Sequence, residues 1–209
     1  MDTYFATLAA RHALSPAAAT ELAERGFTVL PGPFAADDVP HLQAQYDAAI
    51  AGASPDDVRV GRDSIRVTDF VNRGSAFDRV YTWPPALDAC CRVVGRPFRL
   101  SAMHARTVRP GSAPQELHVD VPPTSDAWPM LGLILMVDEF RDANGATRFV
   151  PGSHRWTEGP EHAVSDRRAP YPGEVHACAP AGSMILFNAS TWHGHTANTT
   201  SAPRRSVQA

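Results

Sequence analysis

The apolar positions of this chain change their period about halfway along it. Before residue 98 they recur at helical spacing. Ser15-Pro16 opens one helix with a serine cap and a proline in the first turn, and Gly26 closes it. Val39, Leu42, Tyr46 and Ile50 line one face of a second helix over Asp37 to Ile50. Between the two, Phe27–Leu30 reads as a short strand, whereas residues 51–80 carry Gly, Asp and Arg without clear period and predict a partly mobile cover. From about residue 98, short β-rich runs alternate with Gly and Pro turns, which favours a sandwich or barrel over an α/β fold. Leu131-Gly-Leu-Ile-Leu-Met-Val137 is apolar on both faces, as a central strand buried on each side requires. Asn144-Gly145 predicts a hairpin turn, and Arg155 to Glu174, rich in Pro, Gly and charge, a long surface loop placed to act as a lid.

Within the β-rich half, His118-Val-Asp120 carries the first candidate chemistry. Side chains alternate along a strand, so His118 and Asp120 point the same way and can reach one metal ion. An imidazole from the distant His193-Gly-His195 segment completes two histidines and one carboxylate on one face of an octahedron. Open positions remain, which is the arrangement of non-haem Fe(II) oxygenases. His195 lies two residues from His193 and can face the same way, so it competes for the third ligand position.

Two longer blocks surround these residues. Asn144-Gly-Ala-Thr-Arg-Phe-Val-Pro-Gly-Ser-His154-Arg-Trp156, and Gly182 through Trp192-His193-Gly-His-Thr-Ala-Asn198 to Arg204, resemble the signature segments of the phytanoyl-CoA dioxygenase family of 2-oxoglutarate-dependent oxygenases. More loosely, Thr20 to Ile50 and Pro85 to Leu100 are similar to the amino-terminal elements of that family. The resemblance implies a mainly β (α+β) fold: a double-stranded β-helix, the jelly roll of the cupins, with amino-terminal helices packed against it. It implies one domain over residues 1–209, with a helical module over 1–97 and the β-helix core over 98–209.

The same resemblance implies Fe(II) as metal, with 2-oxoglutarate and O2 as co-substrates. Oxidative decarboxylation to succinate and CO2 would be coupled to oxidation, as a hydroxylation, of a small molecule. His118, Asp120 and His193 take the ligand roles, because the Gly194 and Asn198 pattern and the eleven-residue step to Arg204 count from His193. Arg204 is placed to hold the far carboxylate of 2-oxoglutarate through two parallel charge-assisted hydrogen bonds, while Arg205 points to the opposite strand face. His195 and Gln115 occupy positions that lie near the co-substrate or the metal in the family.

Further assignments rest on position along the strands. Thr147 can donate a hydroxyl to the same carboxylate, although threonine is equally a plain β former. His104 and Arg106, at i and i+2, face either the pocket, with His104 a candidate for the co-substrate and Arg106 for the substrate, or solvent. Met103, Trp128, Met130 and Trp192 are candidates for a substrate pocket, with plain core as the competing reading. His154 is expected to fix a turn. A same-fold halogenase would need a small residue in place of Asp120, and a non-catalytic or differently metallated jelly-roll binding protein is the other alternative.

Composition narrows the partners. The formal charge is -3, all 19 cationic residues are arginine, and no basic run suggests nucleic acid or a CoA-binding patch. No signal peptide and no apolar run of about 18 residues are apparent, so no membrane association is expected. Cys90, Cys91 and Cys178 are odd in number with two adjacent, which predicts free thiols and a cytoplasmic location. The expected partner is a free small molecule, such as a biosynthetic intermediate or amino-acid-like compound, bound by a monomer or homodimer. Only five residues follow Arg204, which predicts a trimmed chain or a short closing strand whose edge a second subunit covers.

Overall fold

The computed structural model describes residues 3–122 and 130–209. Its helices are α1 (Thr3–Ala9), α2 (Pro16–Arg25), α3 (Val39–Ala51), α4 (Asp78–Thr82), α5 (Pro84–Val94) and α6 (Pro160–Ala163). Its strands are β1 (Phe27–Leu30), β2 (Val58–Val60), β3 (Ser64–Val67), β4 (His104–Val108), β5 (Leu131–Met136), β6 (Thr147–Phe149), β7 (Val175–Ala177), β8 (Met184–Asn188), β9 (His193–His195) and β10 (Arg204–Gln208). The strands form two antiparallel sheets, a large one in the order β1-β8-β5-β10-β4-β3-β2 and a small one in the order β7-β6-β9. This is the double-stranded β-helix, or jelly roll, that the resemblance implies.

Helix α2 begins and ends as the sequence dictates. Ser15 Oγ accepts a hydrogen bond from the Ala18 amide at 3.2 Å, Pro16 fills the first turn, and Gly26 takes a left-handed φ of 85°. Against the large sheet, α2, α3 and α5 bury Leu22, Leu42, Tyr46 and Ala89. The alternation along β5 then assigns its two faces. Leu131, Leu133 and Leu135 join this helical core, whereas Ile134 and Met136 face the small sheet with Phe27, Phe149 and Phe187. All six residues of β5 are buried, hence its unbroken apolar run. Gly132 makes room on the inner face, since an added Cβ would lie 2.2 Å from the Phe187 ring. Gly132→Ala is expected to cost about 1–3 kcal/mol by overpacking. A fall in midpoint on urea unfolding measures it.

Several local expectations are corrected. Residues 51–80 supply two strands, β2 and β3, at the edge of the large sheet, together with short helical turns. Asn144-Gly145 is not a hairpin between paired strands: β5 and β6 belong to different sheets, and the turn carries the chain across between them. The Asn144 side chain closes that turn, accepting from the Arg141 amide and donating to the Glu139 carbonyl. β10 is no exposed edge, being flanked by β4 and β5. The three cysteines are free, and no helix among the described residues is long and apolar enough to cross a membrane.

Candidate active site

Between the sheets, at the end not filled by the phenylalanines, lies a cavity of about 310 Å³. The small sheet contributes Thr147, His193 and His195 to its wall, and the large sheet His104, Arg106, Arg204 and Gln208. Gln115, His118, Asp120 and Met130 complete it from connecting segments. His118 and Asp120 are not on a regular strand. Their segment is extended against β9 through a two-way backbone pair between His118 and His193 (2.9 and 3.0 Å), and the Asp120 amide donates to the Ala189 carbonyl at 2.9 Å. That pairing places the two imidazoles side by side, ring centroids 4.3 Å apart.

One ligand atom from each of His118, Asp120 and His193 lies within 4.8 Å of the others, a separation that one metal ion spans. The His118 and His193 Nε2 atoms stand 3.7 and 3.6 Å from the Asp120 carboxylate oxygens. Each Nδ1 faces a backbone carbonyl, Glu116 at 3.0 Å and Thr191 at 2.9 Å. The proton is thereby held on Nδ1 and the Nε2 lone pair turned to the shared centre. Burial pulls both imidazole pKa values down, helped at His193 by the neighbouring His118, so both rings are neutral as ligands must be. Phe149 and Phe187 pack against the His193 ring and fix its plane.

Across the cavity, Arg204 is 1% exposed. Its Nη2 donates to the Gly145 carbonyl at 2.7 Å, its Nη1 to Ser206 Oγ at 3.1 Å, and its guanidinium lies 4.1 Å from the centroid of the Phe140 ring. Nε has no partner, and no carboxylate among the described residues pairs with it. A buried, unpaired guanidinium is costly, and burial lowers its pKa. An anion entering the cavity would relieve that cost. Arg205 alternates to the other face, where Asp138 and Asp47 hold it at 2.7 and 2.8 Å.

The remaining predicted residues divide. His195 lines the cavity with Nδ1 on the Thr196 carbonyl, and burial drives its pKa down to about 3. His104 faces inward and meets the Gln208 side chain at 3.0 Å; Thr147 lies opposite His195 in register. Arg106, 8% exposed, donates to Gln115 Oε1 at 3.0 Å. Met103 and Trp192 are corrected to core. Met103 packs among the helices, and Trp192 lies with Leu117 and Val150, edge-on to Trp156 and Tyr171. Trp128 lies outside the described residues. His154 faces the Ala23 carbonyl at 3.2 Å, tying the Pro-Gly-Ser-His turn to α2.

Arg148 carries a structural role that its place in the motif does not disclose. It is 2% exposed, pairs with Glu174 at 3.1 Å, and donates to the Ala169, Arg167 and Gln115 carbonyls. The expected lid over 155–174 is thereby pinned to the segment that carries Gln115 and His118. Removing one partner of a buried ion pair costs about 3–5 kcal/mol. Arg148→Met is expected to lose that much stability on urea unfolding, and to loosen the 166–174 loop in hydrogen exchange.

The family model described as phytanoyl-CoA dioxygenase matches residues 22–206, and the chain belongs to that family. Dioxygenase trt7 of Aspergillus terreus is 30% identical over 209 residues, covering 91% of this chain and 70% of its own. Dioxygenase cdmA of Talaromyces verruculosus is 36% identical over 118 residues, 52% of this chain and 37% of its own. For cdmA, ALT11 of Alternaria alternata and FUM3 of Gibberella moniliformis, the match spans less than half of the relative's length. Among solved structures, HygX from Streptomyces hygroscopicus with nickel and 2-oxoglutarate bound superposes with a TM-score of 0.77 at 16% identity, over 94% of this chain and 86% of its own. SnoK, a carbocyclase of nogalamycin biosynthesis, gives 0.72 at 18%, over 94% and 83%.

Proposed function

We propose that this chain is an Fe(II)- and 2-oxoglutarate-dependent dioxygenase that hydroxylates a small molecule, with release of succinate and CO2. The observation that carries the reading is one cavity holding both halves of the required site: three convergent metal-ligand atoms on one wall and a buried arginine without a carboxylate partner on another. Two neutral imidazoles and one carboxylate suit Fe(II) and leave positions for co-substrates. An iron/α-ketoglutarate-dependent dioxygenase, okaE of Penicillium ochrochloron, is among the relatives, which supports the choice of metal and co-substrate.

Iron, 2-oxoglutarate and O2, when bound, would supply the oxidising chemistry. The protein's own part is placement. His118, Asp120 and His193 would hold the metal, the two imidazoles oriented by the Glu116 and Thr191 carbonyls. Arg204 binds the far carboxylate of 2-oxoglutarate, with the Phe140 ring beneath it and the Thr147 hydroxyl beside the same slot. Gln115 and His195 flank that slot. His195, neutral across the working pH range, can donate or accept one hydrogen bond without adding charge. The packed phenylalanines exclude water behind His193.

Anaerobic protein given Fe(II) and 2-oxoglutarate is expected to develop a weak visible charge-transfer band. A jelly-roll binding protein without this chemistry gives none. Candidate substrates are then screened by succinate release and by mass spectrometry for one added oxygen atom. Because Asp120 occupies the position that a halogenase leaves open for halide, the product in chloride buffer is expected to contain no chlorine. A chlorinated product from the unmodified protein refutes the assignment.

A further inference from the structure

Three arginines stand directly opposite one another on adjacent strands. Arg59 of β2 pairs in register with Arg66 of β3, and Arg66 with Arg106 of β4. Like charges at directly opposed positions repel, since their Cβ atoms are only about 4.5–5.5 Å apart. Arg59 turns to backbone carbonyls and leaves the site. Arg66 and Arg106 do not: both line the cavity, Arg66 at its exposed mouth and Arg106 buried beside Gln115. Neither has a carboxylate within ion-pair distance among the described residues, and Arg106 Nε is buried without any partner. Asp120 is the one acidic side chain among the described residues of the cavity wall.

A charge count makes the imbalance specific. With the site filled as proposed above, the two positive charges of Fe(II) and the one of Arg204 are cancelled by 2-oxoglutarate and Asp120. The imidazoles are neutral. Arg66 and Arg106 are left over, one cation at the exposed mouth and one buried beside the site. A second cavity of about 460 Å³ shares Arg106, Gln115, His118 and His195 with the first and carries Arg62, Arg167 and Arg168 on its rim. Glu116 engages the last two and Asp63 is the other acidic residue of the lining, so four arginines against two carboxylates leave this approach cationic as well. Such a lining concentrates anions and disfavours cationic solutes.

We propose that Arg66 and Arg106 bind a carboxylate or phosphate group of the prime substrate, so that the molecule oxidised is an organic anion. The proposal rests on the oxygenase reading, which fixes the charges already neutralised. A guanidinium pair offers planar, parallel donors to such a group.

The test is calorimetric titration of anaerobic protein loaded with Fe(II) and saturating 2-oxoglutarate, with benzoate, inorganic phosphate and the neutral isostere benzamide as probes. Benzoate or phosphate is expected to bind and benzamide not. R106Q should weaken the anion at least about tenfold, as loss of a charge-paired donor does, with R106K recovering part. R66Q, at the exposed mouth where folding is not at stake, should weaken it in the same direction. The affinity for 2-oxoglutarate, read from the charge-transfer band, should move far less than that for the anion in either variant. Absence of anion binding, equal binding of benzamide, or wild-type affinity in both variants overturns the proposal. So does anion binding that saturating 2-oxoglutarate abolishes, since the pair then serves the co-substrate. If the charge-transfer band never forms while metal-free protein still binds the anion through these arginines, the oxygenase reading is what fails.

Discussion

Alanine at His118, Asp120 or His193 is expected to abolish Fe(II)-dependent turnover and to strip the metal from the protein. Three ligands leave no redundancy in a site that keeps positions open for co-substrates, and all three atoms are needed to enclose the shared centre. His195→Ala is the internal control. Its imidazole lies in the same cavity, but it does not belong to the convergent trio of ligand atoms. It should therefore retain iron. Metal content after anaerobic loading and succinate formation give the two readouts. Loss of iron from His195→Ala with retention by His193→Ala would reverse the ligand assignment.

Arg204→Ala is expected to raise the 2-oxoglutarate requirement steeply while iron binding stays nearly intact. Truncating a buried, hydrogen-bonded charge partner costs about 2–5 kcal/mol, at least about tenfold in affinity. Lysine at this position should recover only part, because a point charge cannot reproduce the fork that meets the Gly145 carbonyl, Ser206 and an incoming carboxylate together. Arg205→Ala should cost stability through Asp138 and Asp47 and leave co-substrate affinity close to that of the unmodified protein. Titration of 2-oxoglutarate into the three variants, followed by the charge-transfer band, separates these outcomes. Equal losses in Arg204→Ala and Arg205→Ala would argue against a specific anchor.

Much of this site is legible in the sequence because its parts are local. The spacing of His118 and Asp120, the block around His193 and the alternation of Arg204 with Arg205 are short-range patterns. The seven-residue apolar run reads as a central strand because both faces of β5 are covered. What escapes is what depends on distant segments meeting. Met103 and Trp192 have the chemistry of pocket walls, yet strand direction and neighbouring aromatics put them in the core. The arginine pair at the cavity is invisible as a basic run, because its members come from β3 and β4 and meet only through sheet register. The alternation Ser64-Ile65-Arg66-Val67 does carry a strand signal, but at four residues it is too short to stand out. Arg148 sits in a recognisable motif, and only the fold reveals that it fastens the 166–174 loop.

The order of the large sheet gives β10 an outsized part in holding the fold together. β1, β8 and β5 form one three-stranded group and β4, β3 and β2 another, and β10 alone hydrogen-bonds to both. Without β10 the two groups share no hydrogen-bonded strand pair in the large sheet. Its insertion closes contacts across long sequence separations, a slow class of folding event. The same insertion delivers Arg204 to the cavity. Joining the two strand groups and placing this arginine across the cavity from His118, Asp120 and His193 are thus the work of one strand.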